Sequence, residues 1–344
     1  MRVGSRISRD WQTPLLLIAL LVVVALLGSL AAPAMQRTVT EALVKLTVVI
    51  GLYIFVGNSG VFSFGHIAFM AIGGYISAIL TILPAKKHVA LKLPMLLEAA
   101  QLPGPVAMLI AIGVAGLIAL AISLPFVRLK GIALPMATFA LLVIVYVVAL
   151  NWTAVTGGRQ ALVGLPRYTN LWIALAAASA ALLVATAYGV TRHGLALRCS
   201  RESEVAAAAT GIDVAQERRI AFVISAVIVA MGGVLFAHFL GTMTANTFYL
   251  DLTFVTLTML VVGGMRSLTG ACAGVAVVSI VSELFRSIER GIDLGGFTLS
   301  APPGLQEIAL ALVLLVILLT RPHGLAGDWE LTWDAVRGKF KRGE

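Results

Sequence analysis

Charge is what this 344-residue chain has least of: Asp, Glu, Lys and Arg together make up 12%, about half the ~25% of an ordinary soluble domain. So few ions exclude a soluble globule. Cysteine is almost absent as well. Cys199 and Cys272 stand 73 residues apart with no C-x-x-C spacing, which leaves neither a thiol redox motif nor a zinc site. Acids are scarce and scattered: the six aspartates occur singly and outside the expected spans. They form no cluster of the kind that holds the magnesium ions of an isoprenoid-pyrophosphate enzyme. H-E-x-x-H is missing, and the only Gly-Lys pair, Gly338-Lys339, is followed by Phe340. There is therefore neither a metalloprotease site nor a P-loop to cradle phosphates with backbone donors. No enzyme is expected, and no cofactor on this chain. The net charge of +9 does not signal nucleic acid, because no basic stripe is interleaved with aromatics. The bases stand at the ends of apolar runs, as the positive-inside rule expects.

Apolar residues are what the chain has in abundance. They make up 60%, enough for about ten crossings at roughly 20 residues each, with little left for an extramembranous domain. The expected fold is an all-α integral membrane protein of about ten transmembrane helices. A cytoplasmic segment 1–13 precedes a membrane domain 14–320, which carries a long charged loop at 192–219, and a cytoplasmic tail 321–344 follows. The expected spans are Pro14–Ala34, Val39–Gly57, Val61–Leu83, Pro105–Phe126, Ile132–Leu150, Leu171–Thr191, Ile220–Leu240, two shorter crossings within Leu252–Ser282, and Gly304–Thr320. Ala32-Pro33-Ala34 resembles a signal-peptide cleavage site, but 21 uncharged residues exceed a normal h-region, so a retained helix is the expectation. The segment 84–104 is read as a polar connection that includes a short interfacial helix.

Charge counting tests this topology. With the N-terminus in the cytoplasm, sixteen bases fall on the cytoplasmic side and eight on the other, with Lys45 inside a span. Both ends are thus expected in the cytoplasm. A single crossing over Leu252–Ser282 would export the basic tail, so Gly263 to Gly270 is read as a break. A re-entrant hairpin there remains the alternative, since irregular backbone is tolerated at membrane depth where protein or water covers it.

Four features carry candidate chemistry. Glu41 and Lys45, four apart with the acid first, read as a mutually neutralised pair near the interface. His66, in Ser63-Phe64-Gly65-His66, is the ionisable residue placed deepest, either a substrate contact or a neutral imidazole bonding a carbonyl of a neighbouring helix. His238 reads as interfacial. Glycine clusters around Gly57–Gly74 and Gly263–Gly274 suit close helix packing or opened backbone at a binding site, and Gly60-x-x-Ser63 matches Gly264-x-x-Ser267. Ser63, His66, Gly263, Gly264 and Ser267 are the candidate translocation residues. Finally, Arg198 to Asp213 reads as a short helix capped by Ser200, with Glu202 and Glu204 at its positive dipole end and Gly211 as its left-handed stop. Its alanine-rich face invites a partner.

Several stretches together resemble the permease subunits of branched-chain amino-acid ABC importers, the LivM type. They are Gly57-Asn58-Ser59-Gly60-Val61-Phe62-Ser63-Phe64-Gly65-His66-Ile67-Ala68-Phe69, Arg128-Leu129-Lys130-Gly131-Ile132-Ala133, Thr156-Gly157-Gly158, the Arg201-to-Gly211 helix, Gly263-Gly264-Met265-Arg266-Ser267-Leu268-Thr269-Gly270 and Arg321-Pro322-His323-Gly324-Leu325. They follow in family order from about Thr38 to Gly327, with departures at Arg159-Gln160-Ala161 and Arg198-Cys199-Ser200. The resemblance implies an importer permease of the bacterial inner (plasma) membrane, surrounded by lipid, for branched-chain amino acids or a related small polar solute. Its implied partners are cytoplasmic ATP-binding subunits that hold ATP and magnesium, a second permease subunit (LivH-like or another copy) and a periplasmic substrate-binding protein. The Arg201-to-Gly211 helix is then similar to the coupling helix, with Arg201, Glu202, Glu204, Ala207 and Gly211 facing the ATPase. The alternative is an autonomous ion-coupled secondary transporter of a small polar solute, against which the lack of a central Asp or Glu weighs.

Overall fold

The computed structural model describes residues 11–91, 94, 98–126, 128, 129, 131–293, 298, 299, 302, 304–321 and 323–333. The expected cytoplasmic bases Arg2, Arg6, Arg9, Lys130, Arg337, Lys339, Lys341 and Arg342, together with Asp10, Lys92 and Pro322, lie outside them, as does Gly338.

Fourteen α-helices form in chain order among the described residues. They are α1 (Gln12–Leu30), α2 (Pro33–Leu52, continued by a π turn at Tyr53–Gly57), α3 (His66–Thr81), α4 (Pro84–Ala90), α5 (Gly104–Phe126), α6 (Ala133–Asn151), α7 (Thr153–Thr156), α8 (Leu171–Val190), α9 (Arg192–Glu202), α10 (Glu204–Ala209), α11 (Val214–Leu240), α12 (Leu250–Gly263), α13 (Leu268–Arg290) and α14 (Leu305–Thr320). Eight of the helical segments are long and apolar enough to cross a membrane, and α3 and α14 are shorter apolar helices of 16 residues each. This is the all-α membrane fold expected, close to ten spans.

Most spans are apolar nearly all round, α13 being the exception, so burial follows packing partners more than a hydrophobic stripe. α11 is the hub, packed by α3, α5 and α2. It starts at Asp213, whose Oδ1 accepts the Gln216 N–H at 3.1 Å, so residues 214–219 belong to the helix and the charged loop ends at Asp213. Alongside it α3 lies so close that a side chain at Gly73 would overlap the Ala230 carbonyl, and one at Gly233 the Met70 carbonyl. α14 turns Ile308, Leu312, Leu315 and Leu319 outward, as a lipid-facing helix does. Two short antiparallel pairs, β1 (Leu162–Val163) with β2 (Thr242–Met243) and β3 (Ile292–Asp293) with β4 (Thr298–Leu299), tie connecting loops.

Several boundaries differ from expectation. α2 begins at Pro33, six residues before Val39, because proline is pre-organised for a first helical turn, and the apolar run proper starts only after Arg37. Val61 to Gly65 is not helical, and α3 starts only at His66. The break near Gly263 is four residues, Gly264 to Ser267, and neither arm is truncated. Ala245–Gly263, which adds a 3₁₀ turn at Ala245–Phe248 to α12, and Leu268–Glu289 are each of crossing length. α13 runs past Ser282 to Arg290 because Glu283 and Arg286 find partners instead of ending the helix. Asp251 sits in the first turn of α12, inside the span rather than outside it.

Candidate coupling surface and translocation residues

Gly57, Ser59 and Gly60, Leu129 and Gly131, Ser200–Glu204, and Met265 with Arg266 line one cavity of about 430 Å³. They define one end of the bundle, here the loop end. Its centre is the chain between α9 and α10. Ser200 does not cap this helix: its hydroxyl donates to the Leu197 carbonyl within α9 at 2.7 Å. Ser203, extended at φ −157°, takes the cap, accepting the Ala206 N–H at 3.2 Å. Glu202 therefore ends α9, and Glu204 alone occupies the first turn of α10. Gly211 does stop it, at φ +87°, where a Cβ would strain the backbone.

The expected coupling residues divide into braces and outward contacts. Arg201 points inward, donating to the Gly57 carbonyl at 2.7 Å and pairing with Glu202 at 3.2 Å. Glu204 meets the buried Arg218 at 2.9 Å, and Ala207 is turned into the protein. Glu202 and Gly211 are exposed. The side chain most offered to a partner is one the sequence reading missed, Val205, 82% exposed. The missed signal was the register of a two-turn helix: once Ala207 faces in, Val205 faces out.

A second brace comes from the far end of the described chain. Residues 323–331 fold back over the α12–α13 turn, with Leu325 N–H donating to the Val262 carbonyl at 2.9 Å and Ala326 N–H to that of Gly263 at 3.0 Å. Glu330 caps α13: its carboxylate accepts Leu268 N–H at 2.6 Å, Thr269 N–H at 3.0 Å and the Thr269 hydroxyl at 2.6 Å. Four free N–H groups and a positive dipole at a helix start are where a carboxylate belongs. Arg266, in the turn, lies 3.8 Å from Asp328 of this strap and 4.0 Å from Glu202, linking strap to coupling segment.

The candidate translocation residues are placed in packing contacts. His66 is fully enclosed by Phe55, Phe69 and Phe222, the last with ring centroids 5.0 Å away. Its Nδ1 pairs with the Ser63 hydroxyl at 2.7 Å, a partner on its own approach turn rather than a neighbouring helix carbonyl. Gly263 abuts Gly270 and Gly274 backbone to backbone, and Gly264, at φ +118°, is covered by the His323 carbonyl and Gly327. Ser267 caps α13 through Gly270 N–H at 3.0 Å while its hydroxyl donates to the Trp329 carbonyl at 2.6 Å. Ser63, Gly263, Gly264 and Ser267 thus sit at the loop end, as His66 does. His238, two residues from the end of α11, is fully buried, bonded to Ser77 Oγ at 2.8 Å and the Pro166 carbonyl at 2.9 Å, and stacked on Tyr168.

Glu41 and Lys45 do pair, at 2.6 Å. With α2 starting at Pro33, Lys45 is the middle residue of the 25-residue span Pro33–Gly57. Arg286 of α13 joins Glu41 at 3.7 Å and Glu283 at 3.7 Å.

Comparison with known proteins agrees with this architecture. Escherichia coli (strain K12) LivM, a high-affinity branched-chain amino acid transport system permease protein, is 24% identical over 90% of this chain and 74% of its own length. Methanocaldococcus jannaschii has a probable LivM, 28% identical over 44% of each chain, and a probable LivH, 26% identical over 41% of this chain and 42% of its own. The match to the archaeal LivM thus spans less than half of that relative. No solved structure matches. The family model for the branched-chain amino acid transport system permease component covers residues 34–320, and the chain belongs to that family.

Proposed function

We propose that this chain is the membrane-spanning subunit of an ATP-binding-cassette importer that carries branched-chain amino acids, or a closely related small polar solute, across the bacterial inner membrane. Both termini lie in the cytoplasm, and the loop end is the cytoplasmic face. ATP and magnesium are bound by separate ATPase subunits that dock on α10 and its flanks. A LivH-like permease or a second copy completes the membrane unit, and a periplasmic binding protein delivers the solute. The observation that carries the reading is α10 itself: a two-turn helix exposed at Val205 and braced to the bundle by Arg201, Arg218 and, through Glu202, Arg266. Such a part transmits force from a partner and serves little purpose without one. Translocation is then a rocking of spans about a central path, with no covalent step on this chain.

The test is co-purification of the tagged chain with its candidate ATPase. Glu204→Arg sets a cation against Arg218, and Gly211→Pro demands a negative φ at a residue that holds φ +87°. The wild-type chain retains the ATPase and both variants lose it. A second reading, the autonomous ion-coupled carrier, draws on the mid-span position of Lys45 with Glu41. It requires solute accumulation by the purified chain alone under a proton or sodium gradient. That result, with no ATPase bound, overturns the importer reading.

A further inference from the structure

An ion pair outside the expected translocation residues, Glu41 with Lys45, lies well inside its helical span. Lys45 sits about 18 Å from either end of its span at 1.5 Å per residue. Ser279 is the middle residue of the 23-residue α13, with its hydroxyl buried and unpartnered. Glu41, Lys45, Ser279, Ser282, Glu283 and Arg286 line one notch between α2 and α13. Its open volume is about 10 Å³, room for a single water.

Two properties of this notch point to a ligand. The quartet Glu41, Lys45, Glu283 and Arg286 carries two charges of each sign. It is also only partly covered: the side chains of Glu41, Glu283 and Arg286 are 23%, 31% and 35% exposed on the flank of the bundle. Ions on the flank of a membrane span do not face lipid tails, where each costs several kcal/mol. They face protein or water. A closed salt-bridge network would need no polar residues at its floor, yet Ser279 and Ser282 supply hydroxyls there.

We propose that this notch is the chain's half of a solute site, taking the zwitterionic end of an α-amino acid, with the second permease subunit supplying the other wall. Glu41 and Glu283 receive the ammonium group, and Lys45 and Arg286 the carboxylate. The internal pairs open as the solute exchanges into them, so a net-neutral guest replaces a net-neutral pairing. This deepens the importer reading and rests on it.

The experiment uses the complete transporter in proteoliposomes with ATP, binding protein and leucine, in a background with Cys199 and Cys272 replaced by alanine. Ser282→Cys is labelled by a membrane-impermeant methanethiosulfonate in at least one nucleotide state, and saturating leucine slows the labelling. Lys45→Met and Glu41→Gln each lower the uptake rate at least about tenfold. The exchanged pair Glu41→Lys with Lys45→Glu keeps the ion pair and the assembly but does not restore uptake. Absence of labelling in every nucleotide state overturns the proposal, as does full uptake by the exchanged pair, which would make the quartet a structural clamp. If the wild-type complex moves no branched-chain amino acid, the importer reading fails instead, and labelling of Ser282→Cys still decides whether water reaches the notch.

Discussion

Glu330 and Ser203 show how much of the loop end rests on single polar side chains. Glu330 gathers three donors at the start of α13, and hydrogen bonds to a charged group are worth more than neutral ones. Glu330→Ala is expected to cost on the order of 2 kcal/mol, read as a lowered thermal unfolding midpoint in detergent, and Glu330→Gln less. An unchanged midpoint would mean that the strap contributes no stability. Ser203→Ala removes the cap of α10 at a cost of about 1 kcal/mol. The expected result is faster amide exchange across 204–210 with no change in the spans. The acid-plus-serine composition of this segment was legible in the sequence. Which serine caps was not, since Ser200 and Ser203 both precede acids and only the extended backbone at Ser203 separates them. Glu330 could not be found from sequence at all, because it caps a helix that begins 62 residues earlier.

At the scale of elements, two helix connections share a sequence pattern, although α12 and α13 pack on each other while α2 and α3 each pack on α11. α2 is connected to α3 through Gly60 (φ +71°) and Ser63, and α12 to α13 through Gly264 (φ +118°) and Ser267. The repeated Gly-x-x-Ser pattern marks both turns, although only Ser267 caps its helix while Ser63 pairs with His66. Helix contact here depends on absent side chains. Gly233→Val drives a branched side chain into the Met70 carbonyl of α3 and is expected to abolish the yield of folded protein. Gly113→Val in α5, where a Cβ meets nothing within 4 Å, is expected to leave it unchanged. Gel-filtration recovery in detergent measures both, and equal recovery would show that the α3–α11 approach tolerates separation. Glycine clustering was visible in the sequence. The partner across each contact was not, because the pairs are distant in the chain.

For the whole molecule, the orientation rests on charge. Arg128, Arg201, Arg218 and Arg266 all gather near the loop end, the side to which charge counting assigns the cytoplasm. Cys199 is exposed there. An impermeant maleimide is expected to label Cys199 in inside-out vesicles and not in right-side-out ones, with the opposite result for Arg159→Cys, in the loop before β1, once Cys199 is replaced by alanine. The reverse pattern would invert the topology.

Composition and the spacing of apolar runs determined that this is a membrane protein with close to ten helical spans, and the order of its motifs pointed to its family. Those properties are local: burying backbone polar groups in lipid forces helices whatever their neighbours. The tertiary structure decided what the charges and glycines are for. It carried Lys45 from a span's edge to its centre, set Glu283 and Arg286 beside Glu41, enclosed His66 among aromatic rings, and turned Val205 outward. Each depends on which helix lies alongside, and even where a span has a polar face, as α13 does, its periodicity does not say which helix is the neighbour.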